Sequence, residues 1–393
     1  MRLVAIGDIG VVDDMMHIGD EAMFESALDA LAARGAYVVG VSSAPAESSA
    51  RYGIEAVGRI GFDGLARDAA ESRLEAVLAL AHGRDRLPPG DTARAVVEAV
   101  AGADAVVIAG GGNLASTWPL HVYERAALAG IASRLRRPLV VSGQTLGPTL
   151  LGRERELVGA LARSARLVGV REPSSLALAA ELGCTARLGV DDASFLGMTE
   201  QDAAPAPSGV LVSLSLSLDR APRAQTVGRV AALVDAAAET VGGPVRFHAH
   251  YGPLAGAEPR GDAVLHEEVR ERMQVPSTVV PTGDARVAAS LARSTALLIT
   301  GRYHPAVFAA PAGVPVLGLT TDEYTVVKQR GVLAHWGQDG TVPIAAAEEK
   351  GIALMRTLWA DRDRIADRAR TRLPAHRSAA ADWWDAVAAR CVE

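Results

Sequence analysis

The stretch AVVIAGGGN, residues 105–113, contains a short apolar run that passes directly into three glycines and an asparagine. The apolar run predicts a buried β-strand, and the glycines predict a turn whose backbone N–H groups a ligand can approach closely. This turn matches neither the GxGxxG pattern of dinucleotide-binding proteins nor the GxxxxGK[ST] pattern of Walker-type loops. A tight turn without a ligand remains the alternative interpretation.

Similar apolar runs occur along the whole chain and alternate with amphipathic stretches. The predicted strands are Leu3–Ile6, Ala36–Val41, Ala105–Ala109, Pro138–Ser142, Leu167–Val170, Val210–Leu216, Val245–Ala249, Thr278–Val280, Ala296–Ile299 and Val316–Leu319. Buried strands separated by helices predict βαβ units around parallel sheets. The sequence AAPAPSG, residues 203–209, has the composition of a linker.

We therefore predict an α/β protein with two Rossmann-like domains, GT-B-like in arrangement and facing a central cleft. The N-terminal domain spans residues 1–203 and the C-terminal domain residues 209–375. Residues 376–393 are predicted to form a helix that docks on one domain through Trp383 and Trp384. In sheets of this kind ligands bind beyond the carboxyl ends of the strands, so the residues that follow each strand are the candidates for function.

Composition excludes several classes of protein. A net charge of −6 over 393 residues argues against a nucleic-acid partner. Two separated cysteines, Cys184 and Cys391, indicate neither a disulfide framework nor a zinc site. The N-terminus lacks the pattern of a signal peptide, and no apolar run is long enough to span a membrane. We expect a cytoplasmic protein, with peripheral contact at the inner face of the membrane left open.

Residues 300–309, TGRYHPAVFA, are the strongest candidate for an anion site. They follow a predicted strand and open a helix, and Pro305 suits the first helical position. His304 then lies near the N-cap, beside Arg302 and Tyr303. A guanidinium at a helix N-terminus binds anions, and a bound phosphate would favour protonated His304. A histidine that only caps the helix is the alternative.

Two further cations stand at the ends of predicted strands. Arg171 directly follows Leu167–Val170, where an arginine is well placed for an anion, although local pairing with Glu172 is the alternative. Lys328 follows the strand Val316–Leu319 and lies four residues after Tyr324, so the two share one face of a helix. It either completes a cationic cluster or is an ordinary surface lysine.

The loop GDIGVVDDMMHIGD, residues 7–20, is longer than a usual connection from strand to helix. Asp20 is predicted to cap the following helix. His17 and Gly19 are predicted to line the acceptor side of a cleft, whereas a capped and solvated loop is the alternative. Asp13 and Asp14 are adjacent carboxylates without further ligands, which is weak evidence for a metal.

Polar and glycine residues after two central strands complete the predicted acceptor side. Gln144, which follows Pro138–Ser142, carries both donors and acceptors for sugar hydroxyls. Gly111, Gly112 and Asn113 belong to the same group, and we add His250, which follows the strand Val245–Ala249.

In their order, these motifs resemble the polysaccharide pyruvyl transferase family. The resembling pieces extend from about residue 7 to 330 and are Gly19-Asp20-Glu21, Gly110-Gly111-Gly112, Gly143-Gln144 with Gly147-Pro148, Val170-Arg171 with Ser174, Asp191 or Asp192 with Ala193, Arg302 with His304, and Tyr324 with Lys328. The resemblance implies a fold similar to GT-B glycosyltransferases, phosphoenolpyruvate as donor, and a cyclic pyruvate ketal on a glycan as product. It implies no further cofactor.

The resemblance also implies roles for single residues. Arg171, Arg302 and His304 match the positions that bind the donor, and Ser174, Tyr303 and Lys328 are grouped with them. The sequence departs from the family in its longer first loop and in TDEY at residues 321–324, where a tyrosine–aspartate order is usual. These departures concern the acceptor more than the donor.

The expected chemistry needs a general acid, for which His304 is the candidate, and a base, for which Asp20, His17 or His250 are open. No metal is chemically required. The acceptor is a carbohydrate, with a lipid-linked glycan left open. Two alternatives remain: a GT-B glycosyltransferase that uses a nucleotide sugar, and a non-catalytic relative that binds glycan.

Overall fold

The computed structural model describes residues 1–198, 207–216, 218, 221–254 and 258–392. Residues 203–206 of the predicted linker lie outside the described residues. The strands are β1 Arg2–Ile6, β2 Met15–His17, β3 Tyr37–Ser42, β4 Glu55–Gly58, β5 Ala105–Ile108, β6 Gly111–Leu114, β7 Leu139–Leu146, β8 Leu167–Val170, β9 Arg187–Leu188, β10 Val210–Ser213, β11 Val245–His248, β12 Tyr251–Pro253, β13 Ser277–Val280, β14 Leu297–Thr300, β15 Val316–Thr320 and β16 Thr341–Pro343.

The helices are α1 Ile18–Ala32, α2 Pro45–Tyr52, α3 Arg67–Leu80, α4 Ala93–Ala101, α5 Pro119–Arg134, α6 Gly152–Ser164, α7 Pro173–Glu181, α8 Arg223–Val241, α9 Asp262–Arg270, α10 Ala285–Arg293, α11 Tyr303–Ala309, α12 Glu323–His335, α13 Ile352–Ala360 and α14 Arg362–Val392. Short 3-10 turns cover Ala310–Ala312 and Ile344–Ala346, and a π-helical turn covers Ala347–Gly351. No helix among the described residues is both long and apolar enough to cross a membrane.

The chain divides into two compact units whose bounds differ from the predicted domains. The first unit comprises residues 1–11, 23–192 and 378–393, and the second comprises residues 12–22 and 193–377. The division after Asp192 comes earlier than the predicted linker, and α14 continues from the second unit into the first at Ser378. Residues 12–22 belong to the second unit because β2 pairs with β12 there, a long-range pairing that no local pattern predicts.

The first unit contains a parallel sheet in the order β4-β3-β1-β5-β7-β8-β9, with β6 paired to β7. The predicted strands are all present, and two predicted loops are strands instead. Gly111–Leu114 forms β6, and β7 continues through Gln144 to Leu146 because β6 supplies it with a partner. The order reverses between β1 and β5, which is where ligands bind in open α/β sheets.

The second unit contains a parallel sheet in the order β13-β11-β10-β14-β15-β16, the strand order of a Rossmann fold. Its reversal point lies between β10 and β14. Both of these strands are fully buried, as expected for a sheet with helices on both faces. The end of β14 therefore places residues 301–304 at the expected ligand edge.

The C-terminal residues of α14 pack against the sheet of the first unit. Trp384 is 6% exposed in the apolar cluster that contains the first strand. The indole N–H of Trp383 donates to Ser142 Oγ over 2.9 Å. A Cβ on Gly169 would lie 2.7 Å from the Trp383 ring, so the indole lies directly on the backbone of β8.

Candidate active site

His17 and Asp20 form a close pair in the second unit. Antiparallel pairing of β2 with β12 places His17 opposite Tyr251. Its Nδ1 lies 2.7 Å from Asp20 Oδ2, and its Nε2 lies 3.4 Å from Nη1 of Arg302. A carboxylate near Nδ1 favours a proton on that nitrogen, and the Arg302 donor that faces Nε2 favours a lone pair there. The lone pair on Nε2 can then accept a proton.

Asp20 does not cap α1 as predicted. The helix begins two residues earlier, at Ile18, whose backbone N–H donates to the carbonyl of His250. Asp20 therefore lies in the first helical turn. Its carboxylate faces the imidazole of His17, which changes its expected role from capping a helix to orienting a histidine.

Arg302 is held by a fully buried carboxylate. Its Nε donates to Asp262 Oδ2 over 2.7 Å and its Nη2 donates to Oδ1 over 2.5 Å. The Tyr251 backbone N–H also donates to Asp262 Oδ2. This two-pronged pairing fixes the plane of the guanidinium and directs Nη1 toward His17. It also neutralises part of the arginine's charge.

His304 packs against Gly19. A Cβ built on Gly19 would lie 1.9 Å from His304 Nδ1, so any side chain there would displace the imidazole. His304 is 7% exposed, and its ring lies near the rings of Tyr303 and Phe308. Helix α11 begins at Tyr303, two residues before the predicted start, so His304 lies within the first turn and is not at the N-cap. With seven residues, α11 adds little dipole, and side-chain cations must provide most of the attraction for an anion.

Lys328 lies beside Tyr324, as their helical spacing predicts, and also beside Tyr303, which the spacing does not predict. Its Nζ lies 4.8 Å from the centre of the Tyr303 ring and 4.7 Å from that of Tyr324, and it donates to the Tyr324 hydroxyl over 3.2 Å. Within the described ranges it forms no ion pair with a carboxylate. A capping box between Asp322 and Thr325 fixes the start of α12 and hence the direction of this face.

Three buried histidines lie deeper in the second unit. Burial lowers the pKa of His248 and of His266 to about 4. Burial, with His248 and Arg302 nearby, lowers the pKa of His250 well below its ordinary value. His250 is 2% exposed, and its ring nitrogens have no hydrogen-bond partner among the described residues. These properties favour a packing role for His250 over the predicted contact with an acceptor.

The described residues contain no group of three or more histidine, cysteine, aspartate or glutamate side chains arranged to hold a metal. The adjacent Asp13 and Asp14 instead adopt positive φ angles of 51° and 65° in the turn that precedes β2. Their role in the structure is therefore to form a tight turn.

Arg171 lies in the first unit and is paired locally, as the alternative interpretation held. It is 1% exposed, and its Nη1 donates to Asp191 Oδ2 over 2.5 Å while its Nε donates to Thr145 and Glu172. A guanidinium compensated by two buried carboxylates has little remaining attraction for an anionic donor. The structure thus shows the local pairing that was the alternative, and a donor-binding role for Arg171 stays a prediction.

Ser174 is exposed on α7, and its place in the donor site stays a prediction, whereas the neighbouring Ser175 is buried. Ser175 Oγ accepts from the Leu146 backbone N–H and donates to Glu172 Oε2. Ser175 therefore holds β7 and the start of α7 together, while Ser174 faces solvent. Only side-chain direction on the helix distinguishes them.

The predicted acceptor residues Gly111, Gly112, Asn113 and Gln144 lie together along β6 and β7 of the first unit. Gln144 Nε2 donates to the Ala109 carbonyl over 2.5 Å, and Asn113 Nδ2 donates to the carboxylate of Asp8. The oxygen of each amide is buried without a hydrogen-bond partner in the described part of the chain. A buried acceptor left in this way costs about 1–3 kcal/mol.

A charged network that the sequence analysis missed surrounds Asp8, directly after β1. Its carboxylate pairs with Arg59 and Arg125, which also pair with Glu124. Burial alone would raise the pKa of Asp8, but the two guanidiniums outweigh it and hold that pKa well below its usual range. The position of Asp8 after a strand was a usable signal. Its partners Arg59 and Arg125 lie far away in the sequence, and no local pattern indicates that they pair with Asp8.

Asp192, which the sequence offered only as an alternative to Asp191 in the family resemblance, has an unusual environment. Burial and the neighbouring Asp191 raise its pKa to about 7. Ser142 Oγ donates to its Oδ1 over 3.1 Å, and a Cβ on Gly143 would lie 2.6 Å from its Oδ2. The carboxyl group is therefore partly protonated near neutral pH.

Comparison with protein families gives one match that spans most of the chain. The model for "Polysaccharide pyruvyl transferase" matches residues 17–323. The chain belongs to the polysaccharide pyruvyl transferase family. The matched range includes His17, Gly19, Arg302 and His304, and it ends one residue before Tyr324. Membership makes the chain a transferase with a glycan acceptor. A search of the curated proteins finds no significant match.

Solved structures confirm the GT-B-like fold class. A structure from Listeria monocytogenes assigned as a UDP-N-acetylglucosamine 2-epimerase has a TM-score of 0.60 and 12% identity, covering 94% of this chain and 90% of its own. The glycotransferase of kitacinnamycin has a TM-score of 0.58 and 14% identity, covering 99% and 98%. UGT89C1 from Arabidopsis thaliana has a TM-score of 0.57 and 10% identity, covering 100% and 99%. At these identities the likeness concerns the fold alone.

Proposed function

We propose that this family member transfers the pyruvyl group of phosphoenolpyruvate to two hydroxyls of a glycan, forming a cyclic ketal and releasing inorganic phosphate. The observation that carries the proposal is the packing of His304 against Gly19. Gly19 lies in the short segment that also contains the paired His17 and Asp20, and Arg302 lies beside His17. The residues that we assign as proton donor, proton acceptor and cation thus belong to the same unit.

The donor is a compact anion that carries a phosphate and a carboxylate. Arg302 and Lys328 supply the two cations, and neither is fully neutralised: Arg302 directs Nη1 away from Asp262, and Lys328 is bordered by aromatic rings. A guanidinium offers planar, forked donors for phosphate or carboxylate, whereas an ammonium acts as a point charge. This pair fits the smaller donor better than the nucleotide of a nucleotide sugar.

The reaction begins with protonation of carbon. His304 donates a proton to the methylene carbon of the donor, and the adjoining carbon becomes electrophilic. A glycan hydroxyl adds to that carbon while His17, oriented by Asp20, accepts its proton. Phosphate then leaves and the second hydroxyl closes the ketal. Of the two hydroxyl protons released, one replaces the proton lost from His304 and the other leaves with the phosphate.

The decisive experiment follows the fate of phosphate. The full chain is incubated with phosphoenolpyruvate and a mixture of oligosaccharide acceptors, and phosphorus NMR monitors inorganic phosphate while proton NMR monitors a new ketal methyl signal. His304→Gln serves as the matched control. We expect both signals with the natural chain and a loss of about 10²–10⁴-fold in rate with the variant. Release of a nucleoside diphosphate from UDP-sugars, with no phosphate from phosphoenolpyruvate, would favour a glycosyltransferase instead.

A further inference from the structure

Two side-chain amides of the first unit each present a buried oxygen that lacks a hydrogen-bond partner among the described residues: Gln144 Oε1 and Asn113 Oδ1. The orientation of each amide follows from its other contact. Gln144 must direct its NH2 at the Ala109 carbonyl, and Asn113 must direct its NH2 at the Asp8 carboxylate, because both of those groups only accept. The remaining atom of each amide is therefore an acceptor.

The two oxygens border one space, which exists because residue 111 is a glycine. A Cβ on Gly111 would lie 3.2 Å from Gln144 Nε2, 3.3 Å from Gln144 Oε1 and 3.5 Å from Asn113 Oδ1. Gly111 does not have the left-handed φ that would require glycine for backbone reasons. The missing side chain thus leaves room next to two acceptors, and a ligand atom can occupy the space that a methyl group would fill.

The position of this space in the sheet is that of a ligand site. Gly111 follows β5 and Asp8 follows β1, and the strand order of the first unit reverses between these two strands. Open α/β sheets bind their ligands at this reversal point, beyond the carboxyl ends of the strands.

We propose that this space is a carbohydrate subsite, in which hydroxyl groups of one sugar ring donate to Gln144 Oε1 and Asn113 Oδ1 above Gly111. Two acceptor oxygens need hydrogen-bond donors and therefore match the hydroxyl groups of a neutral ligand, and the Asp8 carboxylate beside Asn113 is already neutralised by Arg59 and Arg125. The role of this subsite in holding the glycan acceptor rests on the proposed function.

The test measures binding without any transfer reaction. Saturation-transfer NMR on the full chain, in the absence of phosphoenolpyruvate, uses the methyl glycosides of glucose, galactose, N-acetylglucosamine and N-acetylmannosamine as probes. Gly111→Ala fills the space, and Gln144→Met removes one acceptor while preserving side-chain length. Gly58→Ala is the matched control, because its Cβ would meet only ordinary contacts at 3.6 Å in the same sheet and its φ is not left-handed.

We expect at least one glycoside to bind the natural chain and the Gly58→Ala control. In Gly111→Ala and Gln144→Met the affinity should fall by about tenfold or more, the effect of one lost hydrogen bond. The subsite would be overturned if no glycoside bound the natural chain, or if both site variants bound a glycoside as tightly as the natural chain does. Binding that depends on Gly111, without phosphate release in the donor assay, would retain the subsite and reject pyruvyl transfer.

Discussion

A side chain at Gly19 would overlap His304, since a Cβ there would lie 1.9 Å from the imidazole Nδ1. The two residues are 285 positions apart in the sequence, and residues 12–22 pack in the same unit as α11. The glycine therefore defines the position of the proposed general acid.

Replacing Gly19 with alanine should displace His304 and lower turnover. Alanine favours helix, and Gly19 lies in the first turn of α1, so the backbone itself tolerates the change. We expect the rate of phosphate release to fall by about 10²–10⁴-fold, the usual contribution of a general acid. Gly228→Ala is the control, because that glycine lies on α8 and a Cβ there would have nothing within 4 Å. Normal turnover in Gly19→Ala would remove His304 from the mechanism.

The two cations should respond differently to exchange of arginine and lysine. Arg302→Lys cannot reproduce both bonds to Asp262, and we expect kcat/KM for phosphoenolpyruvate to fall by about 10²–10³-fold, given about 1.4 kcal/mol per tenfold. Lys328→Arg keeps a cation near the rings of Tyr303 and Tyr324 and should change kcat/KM for phosphoenolpyruvate by less than about tenfold. The measurement is initial rate against donor concentration. Equal effects of the two exchanges would argue against a forked contact at Arg302.

His17 should affect turnover more than donor affinity. His17→Gln removes the proton acceptor but leaves Arg302 and its bonds to Asp262, so kcat should fall by about 10²–10⁴-fold while the dissociation constant of phosphoenolpyruvate changes little. Asp20→Asn keeps His17 but removes the charge that orients it, so its kcat should fall less than that of His17→Gln. Single-turnover rates and donor titrations separate the two quantities. A His17→Gln variant with weak donor binding and normal kcat would make His17 a binding residue.

The buried histidines should make the second unit sensitive to acid. Their folded-state pKa values lie near 4 for His248 and His266, below the ordinary 6.5, so the unfolded chain binds more protons between these limits. Stability is then fully present above pH 6.5 and falls as the pH drops toward 4, by up to about 3 kcal/mol for each histidine. Urea unfolding at pH 7 and pH 4.5 measures the effect. His248→Gln, which cannot titrate, should reduce this dependence, and an unchanged slope would contradict the assignment.

The sequence predicted ten of the sixteen strands in the described part of the chain, because buried parallel strands are continuous apolar runs that need no information from elsewhere. It missed six short strands without such a run: β2, β4, β6, β9, β12 and β16. It also predicted that Arg302, His304 and Lys328 follow strands at the edge where ligands bind in this fold, and the structure places them there. It was less accurate at helix starts. Both α1 and α11 begin two residues before the predicted cap or start, since tertiary contacts such as the bond from the Ile18 N–H to the His250 carbonyl extend the helix.

By itself the sequence determined the α/β class, the two repeats of strand and helix, and the family, because apolar periodicity and short motifs are local properties of the chain. The tertiary structure alone decided which polar residues have partners. Arg171 and Arg302 look alike in sequence, each at the end of a strand, yet Arg171 is enclosed by Asp191 and Glu172 while Arg302 keeps one nitrogen directed at His17. Electrostatic compensation depends on distances between residues far apart in the chain, and these distances exist only once the chain is folded.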